Sequence, residues 1–344
     1  MNFQKISLVS VLLLIFLVPT FAVAVNAQGQ SGNPSGTPTS TCITAPGSVF
    51  YYSQGFVFNP LNKYTYVYYS SSSSSIVIVL KGTCTLVTTI HFPTQDIYTA
   101  AFNPLNGLVY FFINSYPHST IYLYKGTTFY RNITTISLPG IKVSPFLSLS
   151  AGSVFVPTGN GSSTVVPKAL VRSVMGNMSG QNSAYSPSTN EVYHINGFSG
   201  GDYVRIYGIA CSCLKTHLTI TGHTGGIVYD THNSNMYVAS YTPTGTRKAT
   251  GDVTVISTET QKVVTVIGVG RHTMDVSFSP RTGEVYATNL DPFKGATSVS
   301  IIRGLSVAQT LAIKGNPDVA GYNPFNGLIY VTLIKANYIA EISA

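Results

Sequence analysis

The sequence predicts an all-β chain, a seven-bladed β-propeller of four-stranded antiparallel blades. The first observation behind this is a tyrosine that recurs six residues after a Pro-containing turn. Phe58-Asn59-Pro60 leads to Tyr66, Phe102-Asn103-Pro104 to Tyr110, and Tyr185-Ser186-Pro187 to Tyr193. Phe278-Ser279-Pro280 leads to Tyr286 and Tyr322-Asn323-Pro324 to Tyr330. Two degenerate copies fit between them: Ser153-Val154-Phe155 lacks the proline, and Tyr229-Asp230-Thr231 reaches Tyr237 with threonine in its place. The anchors at 66, 110, 155, 193, 237, 286 and 330 are separated by 44, 45, 38, 44, 49 and 44 residues. A period near 44 is what a blade of four short strands requires, and seven copies mean seven blades. The second observation is residue type: β-branched and aromatic residues dominate, and no segment has helical periodicity.

The N-terminus carries Lys5, an apolar run from Leu8 to Val18, and small residues ending Val25-Asn26-Ala27. This order predicts a secretory signal over residues 1–27, cleaved after Ala27. The competing reading is an uncleaved anchor, since residues 6–25 nearly suffice to span a bilayer. Pro19 and the polar exit Asn26-Ala27-Gln28 favour cleavage. Residues 28–41 are Gly, Ser, Pro, Thr, Asn and Gln, a flexible spacer. Residues 42–344 belong to one repeat array and so to one domain.

The copy from Met274 to Ile313 shows how a blade is built. Asp275-Val276-Ser277-Phe278 makes the inner strand, and Pro280-Arg281-Thr282-Gly283 a turn whose glycine is free to take positive φ. Glu284–Thr288, Ser298–Ile302 and Ala308–Ile313 follow as the second, third and outer strands. The run Ser70–Ser75 is expected to be a solvated loop between strands. After Tyr330 only 14 residues remain, too few for an outer strand at the usual distance. Residues 41–45 stand at the spacing before Pro60 that outer strands occupy before Pro104 and Pro280. The N-terminal strand should therefore complete the last blade and leave no open edge between the ends of the chain.

The four cysteines allow three pairings. Cys42 falls on the closing blade and Cys84 on its neighbour, while Cys211 and Cys213 lie in blade four. A disulfide needs Cα atoms within about 7 Å, which excludes pairs across the ring. Cys42–Cys84 is the favoured pair; Cys211 and Cys213 form a tight loop or remain thiols. Sequons at Asn132, Asn160 and Asn177 mark glycosylation sites in an exported chain, or else are merely polar loop residues.

Only 9% of residues are charged, with a net charge of +8. The basic residues are scattered singly, which argues against nucleic acid as a partner. Carboxylates are few, and their protonation is a main route to acid unfolding, so the composition suits an acidic external medium.

Pro324-Phe325-Asn326-Gly327-Leu328-Ile329-Tyr330-Val331-Thr332 and Pro280-Arg281-Thr282-Gly283-Glu284-Val285-Tyr286-Ala287-Thr288-Asn289 resemble the YVTN-type β-propeller repeat family. The similarity extends over all seven anchors, weakest around Phe155. The chain departs from the family pattern in lacking the turn aspartate and any full Tyr-Val-Thr-Asn. The resemblance implies an exported, archaeal surface-layer-like protein with a structural or binding role, and brings no fixed catalytic set.

Propeller sites gather on loops that join an outer strand to the next inner strand. Those loops hold His91, Asp96, His223, Arg271, His272, Asp275 and Asp318, the candidate binding residues. His91, His223 and His272, from different blades, are the weak candidates for a metal site, although their offsets from the turns are unequal. The plainer reading is isolated polar loop residues. No haem motif, nucleophile elbow or phosphate loop is present, and no cofactor is implied. The 23 tyrosines split into anchors, expected to pack between blades, and others such as Tyr116, Tyr203 and Tyr241 that suit surface contacts. These readings combine into a non-catalytic, secreted or cell-surface propeller for envelope structure, adhesion or recognition of a protein or glycan. Such a protein touches a membrane only through an uncleaved signal, and assembly into a larger surface structure is compatible with it. The alternatives are a component of an extracellular particle or filament, such as a virion attachment protein, and a channel-centred hydrolase or metalloenzyme.

Overall fold

Short alternating segments between Pro-, Gly- and Asn-containing turns give strands throughout, and no helix is present among the described residues. The computed structural model describes residues 40–43, 52–70, 74–82, 85–93, 96–103, 107–115, 118–134, 146–148, 153–157, 163–166, 183–195, 203–208, 213–242, 250–290, 297–334 and 338–343. The expected signal, and Cys84, Cys211, Tyr116, Asn160 and Asn177, lie outside them.

The first described strand is β1 (Ser40–Ile43). Sheet I comprises β2 (Tyr52–Asn59), β3 (Tyr64–Ser70), β4 (Ser74–Lys81) and β5 (Thr85–Pro93). Sheet II comprises β6 (Asp96–Asn103), β7 (Leu108–Ser115), β8 (His118–Lys125) and β9 (Thr128–Thr134). Sheet III is described by β10 (Phe146–Ser148), β11 (Ser153–Pro157) and β12 (Ser163–Val166). Sheet IV follows with β13 (Ser183–Ser186), β14 (Glu191–Ile195), β15 (Tyr203–Gly208) and β16 (Cys213–Thr219). Sheet V holds β17 (His223–Asp230), β18 (Asn235–Thr242), β19 (Thr250–Ser257) and β20 (Lys262–Gly268). Sheet VI holds β21 (Thr273–Ser279), β22 (Glu284–Asn289), β23 (Ser298–Arg303) and β24 (Ser306–Ala312). Sheet VII ends the chain with β25 (Asn316–Asn323), β26 (Leu328–Ile334) and β27 (Tyr338–Ser343).

Each sheet is an antiparallel meander in chain order, and sheet VII gains β1 beside β27. Ser40 stands opposite Glu341 and Ile43 opposite Tyr338. The described part of this added strand covers 40–43; the sequence predicted 41–45, and residues 44 and 45 lie outside the described residues. Its last described pair sets Ile43 opposite Tyr338, the first residue of β27. It also takes two residues from the segment read as spacer. Ser35–Ala344 form one compact unit.

The first strands of neighbouring sheets pack on one another. β13 packs on β17, β17 on β21, β21 on β25, β25 on β2, and β2 on β6. Sheets IV, V, VI, VII, I and II thus form an unbroken run in which the last sheet in the sequence adjoins the first. The inner strands approach closely enough to demand glycine at Gly225, where a Cβ would sit 2.0 Å from the Met274 carbonyl oxygen. Apolar clusters fill these joints. One holds Tyr66 and Val79 of sheet I with Phe102 and Phe111 of sheet II, and another joins Tyr237 of sheet V to Phe278 of sheet VI. Equivalent clusters join sheets VI to VII, VII to I, and IV to V. Burying one such side chain contributes about 1.5–3 kcal/mol, so stability resides in the joints between sheets.

The inner hairpin turns (59–64 and its equivalents) lie at one end of the sheets, here the turn end. Chain crossings from an outer strand to the next inner strand lie at the opposite, crossover end. Turn geometry follows the repeat: Gly283 and Gly327 adopt the left-handed conformation at φ 72, as expected of the residue three after the proline. Lys63 and Ser234 take the same conformation at φ 59 without being glycine.

Candidate functional site

At the turn end the anchor tyrosines Tyr66, Tyr110, Tyr193, Tyr237, Tyr286 and Tyr330 are fully buried, as expected of residues packed between blades. Their hydroxyls follow two local rules. Where Asn stands four residues before the anchor, its side-chain oxygen accepts the backbone N–H two residues on, as Asn233 does from Asn235. Its amide then donates to the phenol, from Asn233 to Tyr237 at 2.9 Å and from Asn326 to Tyr330 at 3.1 Å. Where Thr occupies that position, a glutamate two residues before the anchor accepts instead, Glu191 from Tyr193 and Glu284 from Tyr286. Lys215 and Arg303 neutralise these buried glutamates from their own sheets. Three anchors also reach forward into the next sheet: Tyr66 donates to Gly126 O at 3.0 Å and Tyr237 to Gly304 O at 2.8 Å, while Tyr193 shares its one hydroxyl hydrogen between Glu191 and Thr258 O, the latter at 3.3 Å.

The crossover end uses shorter side chains for the same purpose. Ile97 N of sheet II donates to Ser75 Oγ at 3.0 Å, and the Ser70 and Ser75 hydroxyls are 2.6 Å apart. The serine run was expected to be solvated, yet Ser70 and Ser75 are buried, because they are the last residue of β3 and the second of β4, set against the start of β6; residues 71–73 lie outside the described residues. In sheet VI, Thr288 Oγ1 donates to Asp318 O of sheet VII at 2.6 Å and accepts from Asp275 N at 3.0 Å. Asn289 accepts from Thr273 Oγ1 and donates to Ser300 Oγ. The Tyr-Ala-Thr-Asn at 286–289 is therefore a row of four fasteners: phenol, core methyl, clamp of the bulge between Thr273 and Asp275, and buried amide.

The sequence-predicted binding residues divide within this frame. His91 is exposed on outer strand β5, opposite Ile76, because β5 extends to Pro93 and absorbs what was read as loop. That removes it from the inner strands. Asp96 opens β6 opposite Asn114. His223, His272 and Tyr241 do come together: Tyr241 stacks on His272 at 3.7 Å between ring centroids, and His223 tilts against Tyr241 at 5.4 Å. Both imidazoles lie on this tyrosine, which the sequence marked only as a surface contact. His272 holds its position at φ 49, the left-handed region that a non-glycine residue rarely adopts. Arg271 precedes it, half-buried. Among the described residues, no three His, Cys, Asp or Glu side chains gather to hold a metal ion.

Asp275 and Asp318 are both buried on the inner strands of adjoining sheets. Asp275 Oδ2 accepts from Ala320 N at 2.9 Å, while its Oδ1 has no hydrogen-bond partner. Burial drives its pKa well above the ordinary carboxylate value; the N–H groups of Ala320 and Val276 oppose the shift and the Asp318 charge adds to it. A second pair escaped sequence reasoning: Ser183 Oγ lies 2.7 Å from His194 Nδ1 across β13 and β14. Hydroxyl and imidazole at this distance have the chemistry of nucleophile and base. Here both are buried, so the pair ties two strands. Only their pairing register reveals it, and the repeat does not encode that locally. Asn132 is exposed on β9, and Cys42 faces Ile339 across the β1–β27 ladder.

No protein-family model and no curated protein matches the sequence. Solved structures do match in three dimensions. Kuenenia stuttgartiensis hydrazine synthase aligns over 88% of this chain and 98% of its own, with TM-score 0.66 and 13% identity. The Myceliophteria thermophila Cps50 (Swd1) β-propeller domain aligns over 90% and 99%, with TM-score 0.57 and 12% identity. The chain has a β-propeller fold. A chain of the mitotic checkpoint complex agrees, covering 100% of this chain and 99% of its own at TM-score 0.64 and 13% identity. At these identities the likeness of the propeller to each of them extends to architecture alone.

Proposed function

We propose that this propeller is a non-catalytic exported protein acting at the cell surface, in envelope structure, adhesion or recognition of a protein or glycan. In this reading seven blades close into a ring, with sheet III between sheets II and IV, and residues 1–27 leave as a signal. The observation that carries it is the use made of polar groups. Anchor phenols, turn amides, the Thr288 hydroxyl and one oxygen of the Asp275 carboxyl are used in bonds within and between sheets, and His91 stands on outer strand β5, apart from His223 and His272. A frame fastened at both ends suits a rigid surface for partners, and one propeller of matching fold belongs by name to a protein complex. The charged, apolar and small-residue order of the N-terminus supports export.

The test is protease shaving of intact cells followed by N-terminal sequencing of the native protein. The expected result is a chain that begins at Gln28 and is lost on shaving. A full-length chain protected until lysis sinks the exported reading.

A further inference from the structure

Nine large apolar side chains are exposed among the described residues: Val263, Val264 and Val266 in sheet V, Leu305 in sheet VI, Val87 in sheet I, and four more gathered at one end of sheets I and II. Leu61 is 68% exposed, Leu86 57%, Phe129 50% and Tyr130 59%. Leu61 lies in the turn after β2, Leu86 is second in β5, and Phe129 and Tyr130 are second and third in β9. All four therefore stand at the turn end of sheets I and II. Lys63, Lys81 and Lys125 are exposed at the same end. Contacts bring the three lysine-bearing turns together: Gly82 N donates to Lys63 O at 3.4 Å, and the Gly126 carbonyl accepts from Tyr66, while Gly126 lies beside the Asn62 side chain. Residues 52–134 contain one acidic residue, Asp96, and it opens β6 at the crossover end.

We infer that the turn end of sheets I and II docks on a lipid bilayer bearing anionic headgroups. Lysine ammonium groups beside an anionic membrane each strengthen binding about fivefold. Exposed leucine and aromatic side chains next to them enter the boundary between headgroups and acyl chains, where tyrosine is especially favoured. A hydrated polyanion, such as an acidic glycan, satisfies the lysines and leaves Leu61 and Leu86 in water; the apolar component favours lipid. This docking goes beyond the exported reading and does not require it, so the two fail separately.

The sequence has no tryptophan, so one introduced indole reports its own surroundings. Full-length Tyr130→Trp is mixed with vesicles of phosphatidylcholine, with or without about one-third phosphatidylglycerol, carrying brominated acyl chains. The expected result is quenching on the anionic vesicles only, weakened by salt. Thr219→Trp, at the crossover end of β16, stays unquenched even if the N-terminal segment inserts in the bilayer. Adding Lys63→Glu, Lys81→Glu and Lys125→Glu raises the lipid concentration for half-quenching by at least about 100-fold, and the three Lys→Gln changes act in the same direction. Equal quenching at both positions, equal quenching on neutral vesicles, or unchanged quenching in both triple variants overturns the inference. So does retention on dextran sulfate with the indole at 130 unquenched, which assigns the patch to an acidic polymer.

Discussion

Tyr237 shows why the repeat keeps tyrosine where phenylalanine would fill the same space. Its ring lies in the joint between sheets V and VI, and its hydroxyl accepts from Asn233 and donates to Gly304 O. Tyr237→Phe should lower the unfolding free energy by about 0.5–1.5 kcal/mol, measured by chemical denaturation with unchanged strand content by circular dichroism. An unaltered midpoint would mean that water replaces the lost bond without penalty. The ring positions were legible in the sequence because they recur every 44 or so residues. The hydroxyl partners were not, since Gly126 and Gly304 lie 60 and 67 residues further on and are reached by backbone carbonyls that carry no residue signature. His223 and His272 were found as candidates by loop position, while the tyrosine that unites them was assigned to the free surface. Ring stacking depends on where two crossings lie in space, and their sequence does not fix that.

Among the elements, β1 has the greatest leverage for its length. Four residues cover the edge of β27, whose ladder groups would otherwise face solvent. A chain shortened to begin at residue 44 should unfold faster than the parent and associate as concentration rises, read by stopped-flow unfolding and size-exclusion chromatography. A truncated chain matching the parent in both would show that β1 adds nothing to closure. The two middle strands of sheet VI were legible almost to the residue: Glu284–Thr288 was expected and Glu284–Asn289 is found, with Ser298–Ile302 against Ser298–Arg303, while the inner and outer strands begin two residues before the expected Asp275 and Ala308. Glycine, proline and alternation all agree there. Around the serine run they give no direction, because serine serves equally in loops, strand ends and buried hydrogen bonds. His91 misled for a related reason, as no breaker stops β5 before Pro93.

For the whole molecule, the direction in which protons act on stability is set by burial. Asp275, Asp230 and Asp252 are all raised, each first by desolvation. A carboxyl with a raised pKa in the folded state takes up its proton on folding, so its contribution is full below the ordinary carboxylate value and lost as pH rises through the folded one. Melting temperature should hold or increase from pH 7 down to about pH 4.5, and Asp275→Asn should flatten that rise. A melting temperature falling steadily over that interval would remove both the linkage and the acidic habitat suggested by composition. Tyr330, pushed up to about 12 by burial, adds a loss of stability in alkali by the same sign. The piece of sheet VII made first is also the piece that must wait longest. Ribosomes deliver residues 40–43 roughly three hundred positions ahead of β27, their ladder partner among the described residues. Until β27 is released, β1 lacks the strand it pairs with, and premature termination before residue 338 leaves it unmatched.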